Sequence, residues 1–186
     1  MRIITGKAKG TKLFTLDGLD TRPTSERSKE AIFSVLQFEI EGRVVLDLFA
    51  GSGQMGLEAV SRGASRAYLV DRGRGACDVI KKNIEKSRLS DGCIAICDDS
   101  LSFLKKQSGM EKFDIVFLDP PYATKFIDEA LNILFEKNLL KPTSYIVCES
   151  DRFDILNENN YNRCEIVKTM KHGIAHISIL KMREIV

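Results

Sequence analysis

Val44-Val45-Leu46-Asp47-Leu48-Phe49-Ala50-Gly51-Ser52-Gly53-Gln54-Met55-Gly56 is the stretch on which the fold turns. It reads as an apolar β-strand that runs into a tight glycine turn, with a helix opening at about Gly53. Glycine at 51 and 53 permits positive φ and lets a ligand press against bare backbone. The amides of the helix start add donors and a partial positive charge. Gly51-x-Gly53-x-x-Gly56 also fits a dinucleotide fingerprint, with Asp71 at about the expected ~20 residues downstream. Asp47 argues against a dinucleotide. It sits in the strand end, where such folds keep an apolar residue, and a buried carboxylate there needs loop amides or a ligand ammonium as partners.

Outward from this stretch the pattern alternates. Strands are predicted at 44–48, 66–71, 93–97, 113–118 and 144–149, with helices at roughly 54–62, 75–88, 99–107 and 124–137. Strands separated by such helices predict a parallel sheet with right-handed crossovers. After Glu149 the rhythm changes. Residues 162–170 and 174–182, close together around Gly173, predict an antiparallel hairpin that closes the sheet. Before the first strand, Pro23 holds Arg22 extended, and Thr24 or Ser25 caps a helix running to about Phe38, with Ala31, Phe33, Val35 and Phe38 among its apolar positions. Capping explains Thr24 and Ser25; Arg22 is left to face an anionic group.

The chain has 186 residues and a net charge of +2, which suits one domain and only a local nucleic-acid surface. The local candidate is residues 1–16, predicted as two short strands around Gly6 to Gly10 that carry Arg2, Lys7, Lys9 and Lys12 with no acidic residue before Asp17. A solvated hairpin and a phosphate-gripping ribbon fit it equally. Five cysteines without a CxxC pair and without a secretory leader predict reduced thiols in a cytoplasm. Cys93 and Cys97, about 13 Å apart along one strand face, are read as core thiols. No apolar run is long enough to span a membrane.

Ligands of open parallel sheets sit at the carboxyl ends of the strands. Those ends carry Asp47, Asp71, Asp98 with Asp99, Asp119 and Glu149. Asp71 can accept both hydroxyls of a ribose, or cap the following helix. One of Asp98 and Asp99 can accept from an adenine amino group, the other being a helix cap. Glu149 reads as a loop anchor, and His172 and His176 receive no role. The fourth strand delivers Asp119-Pro120-Pro121-Tyr122, whose prolines free the Pro120 carbonyl from any ladder. If Asp119 and that carbonyl accept the N–H groups of an aromatic amine, its lone pair turns toward an electrophile while Tyr122 stacks on the base. Together with Asp47, this tetrad favours S-adenosylmethionine over a nicotinamide cofactor.

These motifs, Asp47-Leu48-Phe49-Ala50-Gly51-Ser52-Gly53 and Asp119-Pro120-Pro121-Tyr122, resemble those of the seven-stranded S-adenosylmethionine-dependent methyltransferases. Arg2-Ile3-Ile4-x-Gly6-x-x-Lys9-Gly10 and Thr21-Arg22-Pro23-Thr24-Ser25-Glu26-Arg27 narrow the resemblance to bacterial 16S ribosomal RNA guanine-N2 methyltransferases of the RsmD type. It implies a doubly wound, Rossmann-like α/β sheet ordered 3-2-1-4-5-7-6 with the last strand antiparallel. It also implies a basic hairpin arm (1–20) ahead of the methyltransferase domain (21–186). By carry-over Asp47, Phe49, Gly51, Gly53, Asp71 and Asp99 hold the donor, and Asp119, Pro120, Pro121 and Tyr122 form the target-amine site. Arg2, Lys7, Lys9, Lys12 and Arg22 then meet 16S ribosomal RNA, within the small subunit or an assembly intermediate. The arm is expected to act apart from the donor loop. Two positions depart from the family pattern: Arg72-Gly73-Arg74-Gly75 lacks the acidic residue often found there, and Ile174-Ala175 replaces Asp-Thr. The rivals are a DNA adenine-N6 methyltransferase, which ordinarily carries a separate recognition domain, and a non-catalytic RNA-binding assembly factor.

Overall fold

The computed structural model describes residues 1–16, 25–107, 111–120, 125–150 and 162–183. Arg22, Pro121 and Tyr122 therefore lie outside the described residues. The element order is α1 (Glu26–Val35), β1 (Val44–Asp47), α2 (Gln54–Ser61), β2 (Arg66–Asp71), α3 (Arg74–Ser87), β3 (Cys93–Cys97), α4 (Ser100–Lys106), β4 (Phe113–Leu118), α5 (Lys125–Glu136), β5 (Leu140–Ser150), β6 (Cys164–His172) and β7 (Ala175–Met182). The seven strands form one sheet in the order β3-β2-β1-β4-β5-β7-β6, with β7 antiparallel to both β5 and β6. The expected topology is the observed one.

Apolar side chains cover both faces, as a parallel sheet flanked by helices requires. On one face Val45, Leu69, Ile115, Phe117 and Val147 pack against Ile32 and Phe33 of α1 and Leu36 just after it, Leu57 of α2 and Ile80 of α3. On the other, Leu46, Val70, Val116, Leu118 and Cys148 pack against Phe103 and Leu104 of α4 and Leu131 and Leu134 of α5. The period of two along each strand thus assigns Asp47, Asp71 and Glu149 to the α1–α2–α3 face.

Several expectations are corrected. The first helix stops at Val35, with Leu36 as its C-cap, so Phe38 is 90% exposed instead of apolar filling. Of the two capping candidates, Thr24 lies outside the described residues, and Ser25 is the N-cap as expected, accepting from the Ser28 amide at 3.0 Å. Residues 1–16 are not two strands: a single antiparallel bridge joins Arg2 and Lys12. Their fold comes from contact with the domain. Ile3, Ala8 and Leu13 belong to the main core, and the space beside Gly6 (φ +86°) is filled, since a Cβ there would meet the Ser61 carbonyl oxygen at 1.7 Å. The expectation of five reduced thiols also fails, because a disulfide joins Cys77 of α3 to Cys97 of β3. Cys97 is exposed, while Cys93, Cys148 and Cys164 are buried. Burial pushes the thiols up, Cys93 to about 12 and Cys164 to about 11. Among the described residues no helix is long and apolar enough to cross a membrane.

Candidate active site

The glycine turn is shaped by two carboxylates at neighbouring strand ends. Asp47, 4% exposed, reaches over the start of α2 and accepts from the Gly56 amide at 3.0 Å. Burial pushes its carboxyl up to about 7, against the pull of that amide and with the charge of Asp71 adding to the rise. Asp71 accepts from the Gly51 amide at 2.9 Å through one oxygen and from the Gly73 amide at 2.8 Å through the other. It therefore ties the turn to the entrance of α3, combining part of the capping role with its place at the ligand edge. A carboxylate offers about four lone-pair positions, so two remain for further donors.

The turn itself is open. Gly51 has φ +55°, and nothing lies within 4 Å of the position a Cβ would take. Gly53 is the left-handed N-cap of α2 with no side-chain cap. Partly buried Phe49 packs edge-on to Phe126, with ring centroids 6.3 Å apart. A bare backbone face, a helix start without a side-chain cap, a buried carboxylate with one oxygen beyond its amide bond and a carboxylate with spare lone pairs are what an amino-acid-bearing nucleoside needs. The residues present fit S-adenosylmethionine.

At the third strand end the two aspartates divide their work. Asp99 is the N-cap of α4, accepting from the Ser102 amide at 2.9 Å. Asp98 accepts from the Asp99 amide at 2.9 Å and pairs with Lys106 at 2.6 Å. The Lys106 bond holds Asp98 below the usual carboxylate range.

Asp119 and buried Pro120 follow β4 directly. β1 and β4 are neighbours with Asp47 beside Phe117, and the Leu48 amide donates to the Phe117 carbonyl at 3.1 Å. The glycine turn and the Asp119-Pro120 corner thus leave adjacent strands on the same edge. Their placement follows from sheet order alone.

The arm is fastened through partners far away in the chain. Glu58, wholly buried on α2, accepts from the amides of Ile4 and Thr5 at 2.8 and 3.0 Å. It also pairs with Lys29 at 3.2 Å and Arg62 at 2.8 Å. Lys29 donates to the Arg2 carbonyl at 2.6 Å, and burial pulls its ammonium below the usual lysine value against the attraction of Glu58. Asn83 of α3 bridges the backbone of Phe14 and the Ser52 carbonyl, while Ser52 donates its hydroxyl to Met1 Sδ at 3.3 Å. The expectation of an arm apart from the donor loop is therefore wrong: both ends of the arm touch the loop or its support. Sequence reasoning missed Glu58, although one signal for it existed, a lone carboxylate inside the apolar run Met55 to Val60. Arg2, Lys7, Lys9 and Lys12 are exposed. Arg2 pairs with Glu26 at 3.3 Å, and the three lysines make no ion pair among the described residues.

Comparison with known proteins supplies independent findings. The profile of a family described as conserved hypothetical protein 95 matches residues 1–181. Ribosomal RNA small subunit methyltransferase D of Haemophilus influenzae is 37% identical over 153 residues, covering 82% of this chain and 79% of that protein. A proposed rRNA methyltransferase of Bacillus subtilis is 35% identical and matches over 98% of this chain and 100% of its own length. Among solved structures, a proposed methyltransferase of Escherichia coli superposes with a TM-score of 0.87 at 32% identity, covering 99% of this chain and 98% of that one.

Proposed function

Because this chain belongs to the conserved hypothetical protein 95 family, with relatives named ribosomal RNA small subunit methyltransferase D, we propose that it methylates the exocyclic N2 of a guanine in 16S ribosomal RNA. It is an S-adenosylmethionine-dependent methyltransferase. The observation that carries the reading is the position of the Asp119-Pro120 corner beside the open glycine turn, on adjacent strand ends of one sheet. We further assign the RNA-facing role to Arg2, Lys7, Lys9, Lys12 and Arg22, on a substrate presented within the small subunit or an assembly intermediate.

When bound, S-adenosylmethionine supplies the electrophilic methyl group on its sulfonium. The residues that would hold it are Asp47 toward its ammonium, Asp71 toward its ribose, and Phe49, Gly51, Gly53 and Asp99 around them. The protein's own part is positioning and electrostatics. Asp119 and the Pro120 carbonyl accept the two N–H bonds of the guanine amine. That arrangement keeps the lone pair out of conjugation with the ring and directs it toward the glycine turn. Tyr122 stacks on the base and holds its plane. The methyl would pass to N2 with cleavage of its bond to sulfur, which would leave the amine cationic; Asp119 is placed to stabilise that charge and to accept the extra proton. A base in a single-stranded RNA loop reaches such a site with little unstacking cost.

The test offers labelled methyl donor to the protein with 16S RNA, small subunits and duplex DNA. Label in a guanine of RNA or subunits is the expected result. Label entering duplex DNA adenine, with both RNA substrates silent, refutes the assignment.

A further inference from the structure

Beside the Asp119 corner the sheet carries a second carboxylate that the mechanism above does not use. Leu118 of β4 pairs with Cys148 of β5, so Asp119, just past the end of β4, and Glu149, still in β5 and opposite Ile177 of β7, follow side by side, about 4.8 Å apart between strands. Val147 and Phe117, two residues before each, both face α1, which assigns the two carboxylates to the same face. Glu149 is half-buried and lines a cavity of about 250 Å³ together with Ser25 and Arg27 at the start of α1 and His172 and Gly173 at the β6–β7 turn. That volume lies just under the usual range for small-molecule pockets and suits one base.

Resting on the methyltransferase reading above, we infer that this cavity takes the target base and that Glu149 reads the N1–H of guanine, making it the residue that selects guanine over adenine. The Watson–Crick edge of guanine presents in order an amino group, an N1–H donor and the O6 acceptor. Asp119 and the Pro120 carbonyl take the amino group, and Glu149, next along the edge, accepts from N1–H. O6 then meets the wall that carries Arg27 and His172, both N–H donors. Adenine presents an unprotonated N1 at the same place, and its lone pair would face the Glu149 carboxylate. An acceptor facing another acceptor replaces an attraction with a repulsion, which disfavours adenine at that place.

The test separates N1–H from the reacting amine. 2-Aminopurine keeps the exocyclic 2-amino group but has an unprotonated N1 and a hydrogen in place of O6. Small-subunit RNA is prepared with guanine or 2-aminopurine at the position that wild-type protein labels, and kcat/KM is measured for each. Wild type should favour guanine by at least about 10-fold, the lower end for one hydrogen bond to a charged group. In Glu149→Gln the amide can donate to an unprotonated N1, so the guanine preference should shrink by about 10- to 150-fold, down to what O6 alone carries, with a lower value on guanine and a higher one on 2-aminopurine. Donor affinity by calorimetry should be unchanged in that variant. Wild type that accepts both bases equally overturns the role of Glu149, and this comparison needs no variant to fold. A preference undiminished in Glu149→Gln overturns it as well. Label absent from every guanine of RNA and subunit overturns the substrate reading itself, a different failure.

Discussion

Replacing Asp47 by Asn should make the protein more stable and worse at binding its donor. Asp47 is buried and its carboxyl is pushed from 3.8 to about 7, chiefly by desolvation. Its folded value lies above its unfolded one. The associated stability is therefore complete below about pH 3.8, falls as pH rises, and is gone above about 7. At 1.36 kcal/mol for each pH unit of that interval, the ionised carboxylate costs the unliganded fold about 4 kcal/mol at pH 8. Asn keeps an oxygen for the Gly56 amide and carries no charge. Its new NH2 group forfeits about 1–3 kcal/mol if it finds no partner, leaving a net gain of about 1–3 kcal/mol. For a chain of this length that raises Tm by roughly 2–12 °C.

Thermal melts of both proteins from pH 5 to pH 8.5 without donor supply the assay. The gap in Tm should be widest at pH 8 and narrow toward pH 5, where wild-type Asp47 is protonated. Calorimetric titration with S-adenosylmethionine gives the other half. If the donor's ammonium pairs with ionised Asp47, wild-type affinity should weaken about tenfold for each pH unit below 7 and level off above it. The variant should bind more weakly at pH 8 and lose that dependence. An Asp47→Asn protein that is no more stable at pH 8, or that keeps the wild-type pH profile of binding, refutes the reasoning.

Asp119→Ala should lower single-turnover methylation by roughly 10²–10³, the scale of one preorganised polar group, with donor affinity by calorimetry nearly unchanged; near-normal turnover would dispose of the mechanism. Glu58→Gln should cost about 3–5 kcal/mol in urea denaturation, because it leaves the buried Lys29 ammonium without its counter-charge, and equal midpoints would show that the arm is held by its apolar contacts alone. The joint change of Lys7, Lys9 and Lys12 to Gln should weaken RNA binding and flatten the log–log salt slope by about 0.7 for each single-strand phosphate no longer neutralised. Deleting residues 1–12 is a poor substitute for this variant, since Ile3 and Ala8 belong to the core. An unchanged salt slope would remove the lysines from the RNA surface.

The parts legible in the sequence were those whose cause is local. A run of β-branched and aliphatic residues ending in Gly51 and Gly53 declares its strand and turn within a dozen positions, and the alternation from β1 to β5 follows from the same kind of local pattern. What was not legible depends on contacts distant in the chain. Glu58 meets the amides of Ile4 and Thr5 across 54 and 53 residues, so the arm looked like a hairpin on its own. Phe38 fits the apolar period of α1, yet the helix has ended by then. Cys97 was weighed only against Cys93 along its own strand, whereas its partner Cys77 lies on the helix packed over the sheet. Glu149 could be placed at a strand end but not beside the His172 turn, because β7, which inserts beside β5 and brings that turn to the edge, cannot be ordered from spacing alone.

Helix α1 links the arm, the cavity and the sheet. Its first turn supplies Arg27, and its N-cap Ser25, to the cavity. One turn later Lys29 reaches the Arg2 carbonyl and Glu58, and Phe33 then packs on Phe117 of β4, with ring centroids 5.7 Å apart. The same ten-residue helix therefore borders the cavity, anchors the basic arm and rests on the strand that delivers Asp119. Met1 and Asn83 carry the arm's other contacts to Ser52 in the glycine turn. A shift of the arm cannot leave α1 and α2 untouched, because the Lys29–Glu58 pair that joins them is buried and breaking it leaves an uncompensated charge. On the proposed reading, substrate grip, base selection and donor binding would thus be coupled through Lys29 and Glu58, two charges that contribute no chemistry of their own.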